Sequence, residues 1–107
     1  MKLFVDDIRP EPKGWHKART VTEAIRILAT QPVQEISLDH DIACYDPTIG
    51  VEHTSPETFF AVAYYLALMP DKPRIRIHTA NFEAGRRMAA LLDIPYRNYV
   101  YNPGDYK

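Results

Sequence analysis

Cysteine occurs once in this 107-residue sequence, at Cys44. No disulfide can close within the chain, which excludes a disulfide-stapled scaffold and a cysteine-rich zinc module and makes a reducing cytoplasm the expected compartment. A charge excess of either sign is missing as well: 13 Lys and Arg stand against 14 Asp and Glu, a formal net charge of -1. No field of the whole molecule draws in a nucleic-acid backbone, so duplex DNA is not an expected partner. Long apolar runs are also absent. The stretch from Phe59 to Met69 would span about 16 Å as a helix, against about 30 Å for a hydrocarbon core, so no membrane is expected. At the N-terminus, Leu3-Phe4-Val5 meets Asp6 and Asp7 before a leader-like apolar segment can build.

What is present is the composition of an ordinary globule, 46% hydrophobic and 25% charged. One compact core is feasible at this length, and residues 1–107 are expected to form a single domain. Leu3 to Val5 reads as a buried strand delivering Asp6 and Asp7 to its carboxyl end. His16 to Arg19 reads as a short edge strand. Thr20-Val21-Thr22-Glu23 then opens an amphipathic helix with Ala24, Ile25, Ile27 and Leu28 on its apolar face, stopped by Pro32. Glu35 to Leu38 is a second central strand running into Asp39-His40-Asp41. A loop is expected over Ile42 to His53. Thr54-Ser55-Pro56-Glu57 carries a hydroxyl cap, an early proline and an acid, the signature of a helix start, and the helix that follows to about Met69 is apolar nearly all round. Arg74 to Ile77 is a third strand, ending at His78-Thr79. Asn81 is expected to cap a last helix that aligns Ala84, Met88, Leu91 and Leu92, and Tyr96 to Tyr101 is a candidate final strand.

Strands alternating with helices predict a mostly parallel open sheet of four to five strands, flanked by helices. In such a sheet all strands point their carboxyl ends to one edge, where ligands bind. Asp6-Asp7, Asp39-His40-Asp41 and His78-Thr79 therefore converge. Clustered acids repel unless a cation, a histidinium or an arginine compensates, and the cluster implies either a divalent ion, Mg²⁺ or Mn²⁺, or raised carboxyl pKa values. Asp6, Asp7 and Asp41 are the expected metal ligands. His40 and His78, with Asp39 orienting one of them, are the expected catalytic groups, one imidazole taking a proton and the other giving one. The last helix offers its N-terminus to an anion, so Arg9, Thr79, Asn81 and Arg86 are the expected phosphate contacts. Trp15 and the tyrosines Tyr96, Tyr99, Tyr101 and Tyr106 read chiefly as packing groups, with a base-stacking platform as the alternative.

Asp6-Asp7-Ile8-Arg9-Pro10, Ser37-Leu38-Asp39-His40-Asp41 and His78-Thr79-Ala80-Asn81, followed by Gly85-Arg86 and Met88, resemble the three signature blocks of the cyclic-phosphate-processing receiver-like domains. The resemblance implies a receiver-like, flavodoxin-type fold and an activity on a nucleotide or RNA end carrying a cyclic phosphate. It matches Asp6, Asp7 and Asp39 to the receiver acid pocket and sets His40 and His78 apart as additions that suggest hydrolysis. Phe82 stands where proline is more usual, and Gly85 is displaced by one residue. Two other readings fit the same residues. One is a non-catalytic module that sequesters a cyclic nucleotide. The other is a phosphoacceptor receiver, which needs a lysine at the carboxyl end of the last strand, a place none of Lys2, Lys13, Lys17, Lys72 and Lys107 takes.

Overall fold

The structure, a computed structural model, describes residues 1–39, 41–46, 51–79 and 82–96, with residues 41–46 and 51–57 described by backbone alone. In chain order the elements are β1 (Lys2–Val5), β2 (His16–Ala18), α1 (Val21–Thr30), β3 (Glu35–Leu38), β4 (Asp41–Asp46), β5 (Val51–Thr58), α2 (Phe60–Leu68), β6 (Arg74–Ile77) and α3 (Phe82–Leu92). A four-stranded sheet in the order β2-β1-β3-β6 is parallel throughout, and β4 and β5 form a separate antiparallel pair. This is the small α/β, flavodoxin-like arrangement that the alternation of strands and helices predicts, its strand order reversing between β1 and β3.

The three central strands begin and end in register. Lys2, Glu35 and Arg74 form the first row, and Val5, Leu38 and Ile77 the last. Side chains alternate across a strand. Leu3, Val5, Ile36, Leu38 and Ile77 therefore share one face, and they join a single core cluster with Ala24 and Leu28 of α1, Val62, Ala63 and Leu66 of α2, and Met88, Ala89 and Leu92 of α3. Full burial of a Leu or Ile side chain contributes about 1.5–3 kcal/mol, so this cluster dominates the stability.

Connection handedness explains why α1 and α2 lie on one side. The steps β2 to β3 and β3 to β6 move the same way across the sheet, and right-handed crossovers then put α1 and α2 on the same face. The step β1 to β2 moves the other way, so residues 6–15 cross the opposite face, where Trp15 packs edge-on against Phe4 at 6.5 Å. Trp15 is 7% exposed, which favours its packing role over a stacking platform.

Local signals account for most boundaries. Thr20 caps α1, its hydroxyl accepting from the Glu23 backbone N–H at 3.1 Å. α3 ends in a left-handed residue, Asp93 at φ 55°, with Ile94 N–H donating to the Ala89 carbonyl and Asp93 N–H to that of Ala90, the two bonds of a Schellman cap.

Two expectations are corrected. Residues expected to form a loop over Ile42 to His53 contribute instead to the β4–β5 pair, in which Cys44 lies opposite His53. Thr54 to Glu57 does not open a helix but continues β5 to Thr58, and α2 starts at Phe60, whose N–H donates to the Thr58 hydroxyl at 3.3 Å. Pro56 is compatible with the strand because it falls where the register shifts, between the pairs Asp41–Thr58 and Ala43–Thr54, and needs no ladder donor there. α2, although apolar nearly all round, leaves Tyr64 58% and Leu68 85% exposed. Of the candidate strand from Tyr96 to Tyr101, residues 97–101 lie outside the described part, and Tyr96 is in no strand.

Candidate functional site

The last paired row of the sheet, Val5, Leu38 and Ile77, is followed on each strand by a polar residue: Asp6, Asp39 and His78. The backbone keeps these in line. Asp6 N–H donates to the Ala18 carbonyl at 3.1 Å, Asp39 N–H to that of Val5 at 3.0 Å, and His78 N–H to that of Leu38 at 2.8 Å. By alternation all three side chains leave on the face opposite the helices, above Phe4 and Ser37. The predicted convergence is therefore present for Asp6, Asp39 and His78, at the carboxyl edge of the sheet where the strand order reverses.

Asp6 is the hub of the arrangement and is fully buried. Its Oδ1 accepts from the backbone N–H groups of Ile8 at 2.9 Å and Arg9 at 3.0 Å, closing the turn after β1 on its own side chain. Its Oδ2 accepts from Arg9 Nη1 at 3.1 Å and His78 Nε2 at 2.9 Å. Burial alone would push this carboxyl up. The His78 hydrogen bond and the backbone donors of Arg9 and Ile8 outweigh it and hold the pKa at about 2.

His78 is fully buried too, its ring stacked on Phe4 at 4.5 Å with an interplanar angle of 6°. Both ring nitrogens are engaged, Nε2 with Asp6 and Nδ1 with Ser37 Oγ at 2.7 Å. Burial lowers its pKa below the ordinary histidine value; the Asp6 hydrogen bond and charge oppose this, and the charges of Arg9 and Arg76 reinforce it. The imidazole is therefore neutral at pH 7. An ionised Asp6 can only accept, so the proton sits on Nε2 and Nδ1 accepts from the Ser37 hydroxyl. Ser37 was not singled out as a site residue in the sequence, although the strand alternation of Glu35 to Leu38 places it on the same face as Asp39, two rows below His78.

Arg9 bridges the cluster: the same Nη1 that meets Asp6 lies 3.3 Å from Asp39 Oδ2. Burial works against its charge, but the Asp6 hydrogen bond and the charges of Asp39 and Asp6 raise its pKa above the ordinary value. Lys17 Nζ donates to the Arg9 carbonyl and braces the same turn from β2. Asp6, Asp7 and Asp39 each bring a carboxylate oxygen within 4.8 Å of the others. The raised carboxyl pKa values that crowding implied do not occur at Asp6, because the His78 hydrogen bond and the backbone N–H groups of Arg9 and Ile8 outweigh burial.

Of the remaining expected contacts, Thr79 is buried at the edge beside α3. Gly85 lets the helix approach: a Cβ there would lie 3.0 Å from Tyr96 Cε2 and 3.1 Å from Thr79 Cγ2. Arg86 is exposed, its guanidinium 5.7 Å from the Tyr96 ring centre. Asp41 begins β4, two residues beyond Asp39, and only its backbone is described. His40 and Asn81 lie outside the described residues, as do Tyr99, Tyr101 and Tyr106.

A parallel sheet in this order with carboxylates at its reversal point defines a receiver-like domain. The assignment can be made narrower. A family model described as the cyclic-phosphate processing receiver domain matches residues 1–94, and the chain belongs to that family. No curated protein and no solved structure matches it. No helix among the described residues is long and apolar enough to cross a membrane.

Proposed function

We propose that the domain hydrolyses a cyclic phosphate on a nucleotide or an RNA end. The observation that carries this reading is the meeting of Asp6, Asp39 and His78 at the edge where α/β sheets bind their ligands, in a chain of the cyclic-phosphate processing family. In hydrolysis, water attacks phosphorus and one ester P–O bond of the ring breaks. A base takes a proton from the water and passes it to the departing sugar oxygen, leaving a phosphomonoester.

We assign the proton shuttle to His40, the residue following Asp39, with Asp39 as its partner. Arg9, Thr79, Asn81 and Arg86 are proposed to hold the phosphate oxygens. His78 takes a different part from the one its residue type suggests. Because Asp6 and Ser37 engage its two nitrogens and it is fully buried, it is a positioning residue that acts on the guest through Asp6 and Arg9.

The same burial favours a second reading, a module that binds the cyclic phosphate without turning it over. Purified protein is incubated with 2′,3′-cyclic mononucleotides and with RNA ending in a 2′,3′-cyclic phosphate, and products are followed by ³¹P NMR. Hydrolysis predicts ring opening that falls at least about a hundredfold in His40→Ala and Asp39→Asn, the range of general acid–base contributions. Saturable binding with an intact ring sinks the enzyme and supports sequestration, whereas acetyl-phosphate labelling of Asp39 supports a phosphoacceptor.

A further inference from the structure

We infer that Arg9 fills the cation seat of this acid pocket, so that the domain carries its own fixed positive charge where three gathered carboxylates imply Mg²⁺ or Mn²⁺. Asp6, Asp7 and Asp39 meet the distance requirement for sharing an ion, since one oxygen from each lies within 4.8 Å of the others. The donor chemistry does not fit. A carboxylate offers about four lone-pair positions. Asp6 has four protein contacts: Ile8 N–H, Arg9 N–H, Arg9 Nη1 and His78 Nε2.

Space leads to the same conclusion. Mg²⁺ needs its oxygens at about 2.0–2.1 Å in near-octahedral order. A single nitrogen, Arg9 Nη1, stands 3.1 Å from Asp6 Oδ2 and 3.3 Å from Asp39 Oδ2, so one fixed cation already engages an oxygen of each carboxylate. Arg9 is also delivered there by its backbone, whose N–H is bound by Asp6 and whose carbonyl is bound by Lys17. Its side chain retains 33% exposure, so the charge is not sealed off from the surface. The fixed charge thus does two things at once: it holds Asp6 and Asp39 together, and it presents a cation to whatever enters.

The inference concerns the pocket of the proposed reaction, but its readout is cation binding and does not require turnover. Mn²⁺ is titrated into the full chain and the free ion is followed by its EPR signal, for the wild type and for Arg9→Met, which keeps much of the side-chain length without the charge. The wild type is expected to show no saturable binding below about 1 mM. Arg9→Met is expected to bind one Mn²⁺ per chain at least about tenfold more tightly, and Arg9→Lys to stay near the wild type. A wild type that binds Mn²⁺ as tightly as Arg9→Met, or a variant no tighter than the wild type, overturns the inference. Thermal melting of the wild type supplies a test independent of any variant: a midpoint that rises with MgCl₂, at constant ionic strength, also overturns it.

Discussion

His78 Nε2 donates to Asp6 Oδ2 across 2.9 Å, although the two residues lie 72 positions apart and both are closed off from solvent. The bond ties the first strand of the sheet to the last, and Asp6 also carries the Arg9 guanidinium. Removing the acceptor leaves four donors short of a partner: the Ile8 and Arg9 N–H groups, the charged Arg9 guanidinium and His78 Nε2. Asp6→Ala is therefore expected to lower unfolding stability by about 3–5 kcal/mol, the range for breaking a buried charged pair. Urea denaturation followed by circular dichroism measures it, and a loss under about 1 kcal/mol would show that the pairing contributes little.

Acid should act in two stages. His78 has a folded-state pKa below its ordinary 6.5, so the unfolded chain takes up this proton first and stability falls as pH drops below about 6.5. Asp6 follows: its pKa is about 2 when folded against 3.8 ordinarily, so its contribution is intact above 3.8 and lost as pH falls toward 2. That difference amounts to about 2 kcal/mol. Urea midpoints across pH 2–8 should show both declines, and His78→Phe should abolish the first and shrink the second, because the His78 hydrogen bond is the foremost group holding the Asp6 pKa down.

At the end of α3, Asp93 occupies the left-handed position of a Schellman cap at φ 55°. A side chain with a Cβ is strained there and glycine is not. Asp93→Gly is expected to raise the thermal midpoint, with a gain of up to about 1 kcal/mol. An unchanged or lower midpoint would mean that the aspartate makes up for its backbone cost in another way.

Gly85 faces the opposite constraint. Alanine is the better helix former by about 1 kcal/mol, but its Cβ would press on the Tyr96 ring and the Thr79 methyl at 3.0 and 3.1 Å. Overpacking of this kind costs about 1–3 kcal/mol, so Gly85→Ala should be net destabilising. Because Thr79 lies at the carboxyl edge, the variant should also weaken binding of a cyclic nucleotide, measured by isothermal titration calorimetry.

The parts of this fold that were legible in the sequence are those set by neighbouring residues. The Thr20 cap, the Glu35–Leu38 and Arg74–Ile77 strands and the apolar face of α3 needed only local spacing. Thr54-Ser55-Pro56-Glu57 misled because its cap-like chemistry is local while the pairing of Cys44 with His53 is not. The site divides similarly. The convergence of Asp6, Asp39 and His78 followed from topology. The use of Arg9 did not, since its pairing with Asp39 spans 30 residues and depends on which strands become neighbours. Residue type suggested a proton-transferring His78; only burial and the partners on both nitrogens reveal its positioning geometry.

Asp6, Asp39 and His78 each hang from a carbonyl of the adjoining strand through their own amide. The floor beneath any guest is thus an extension of the sheet, as stiff as the ladder itself, and cannot adjust its spacing to suit different occupants. In the proposed reading, selectivity then falls to what surrounds this floor, such as the turn after β1. Two domains could share this floor atom for atom and still choose different molecules.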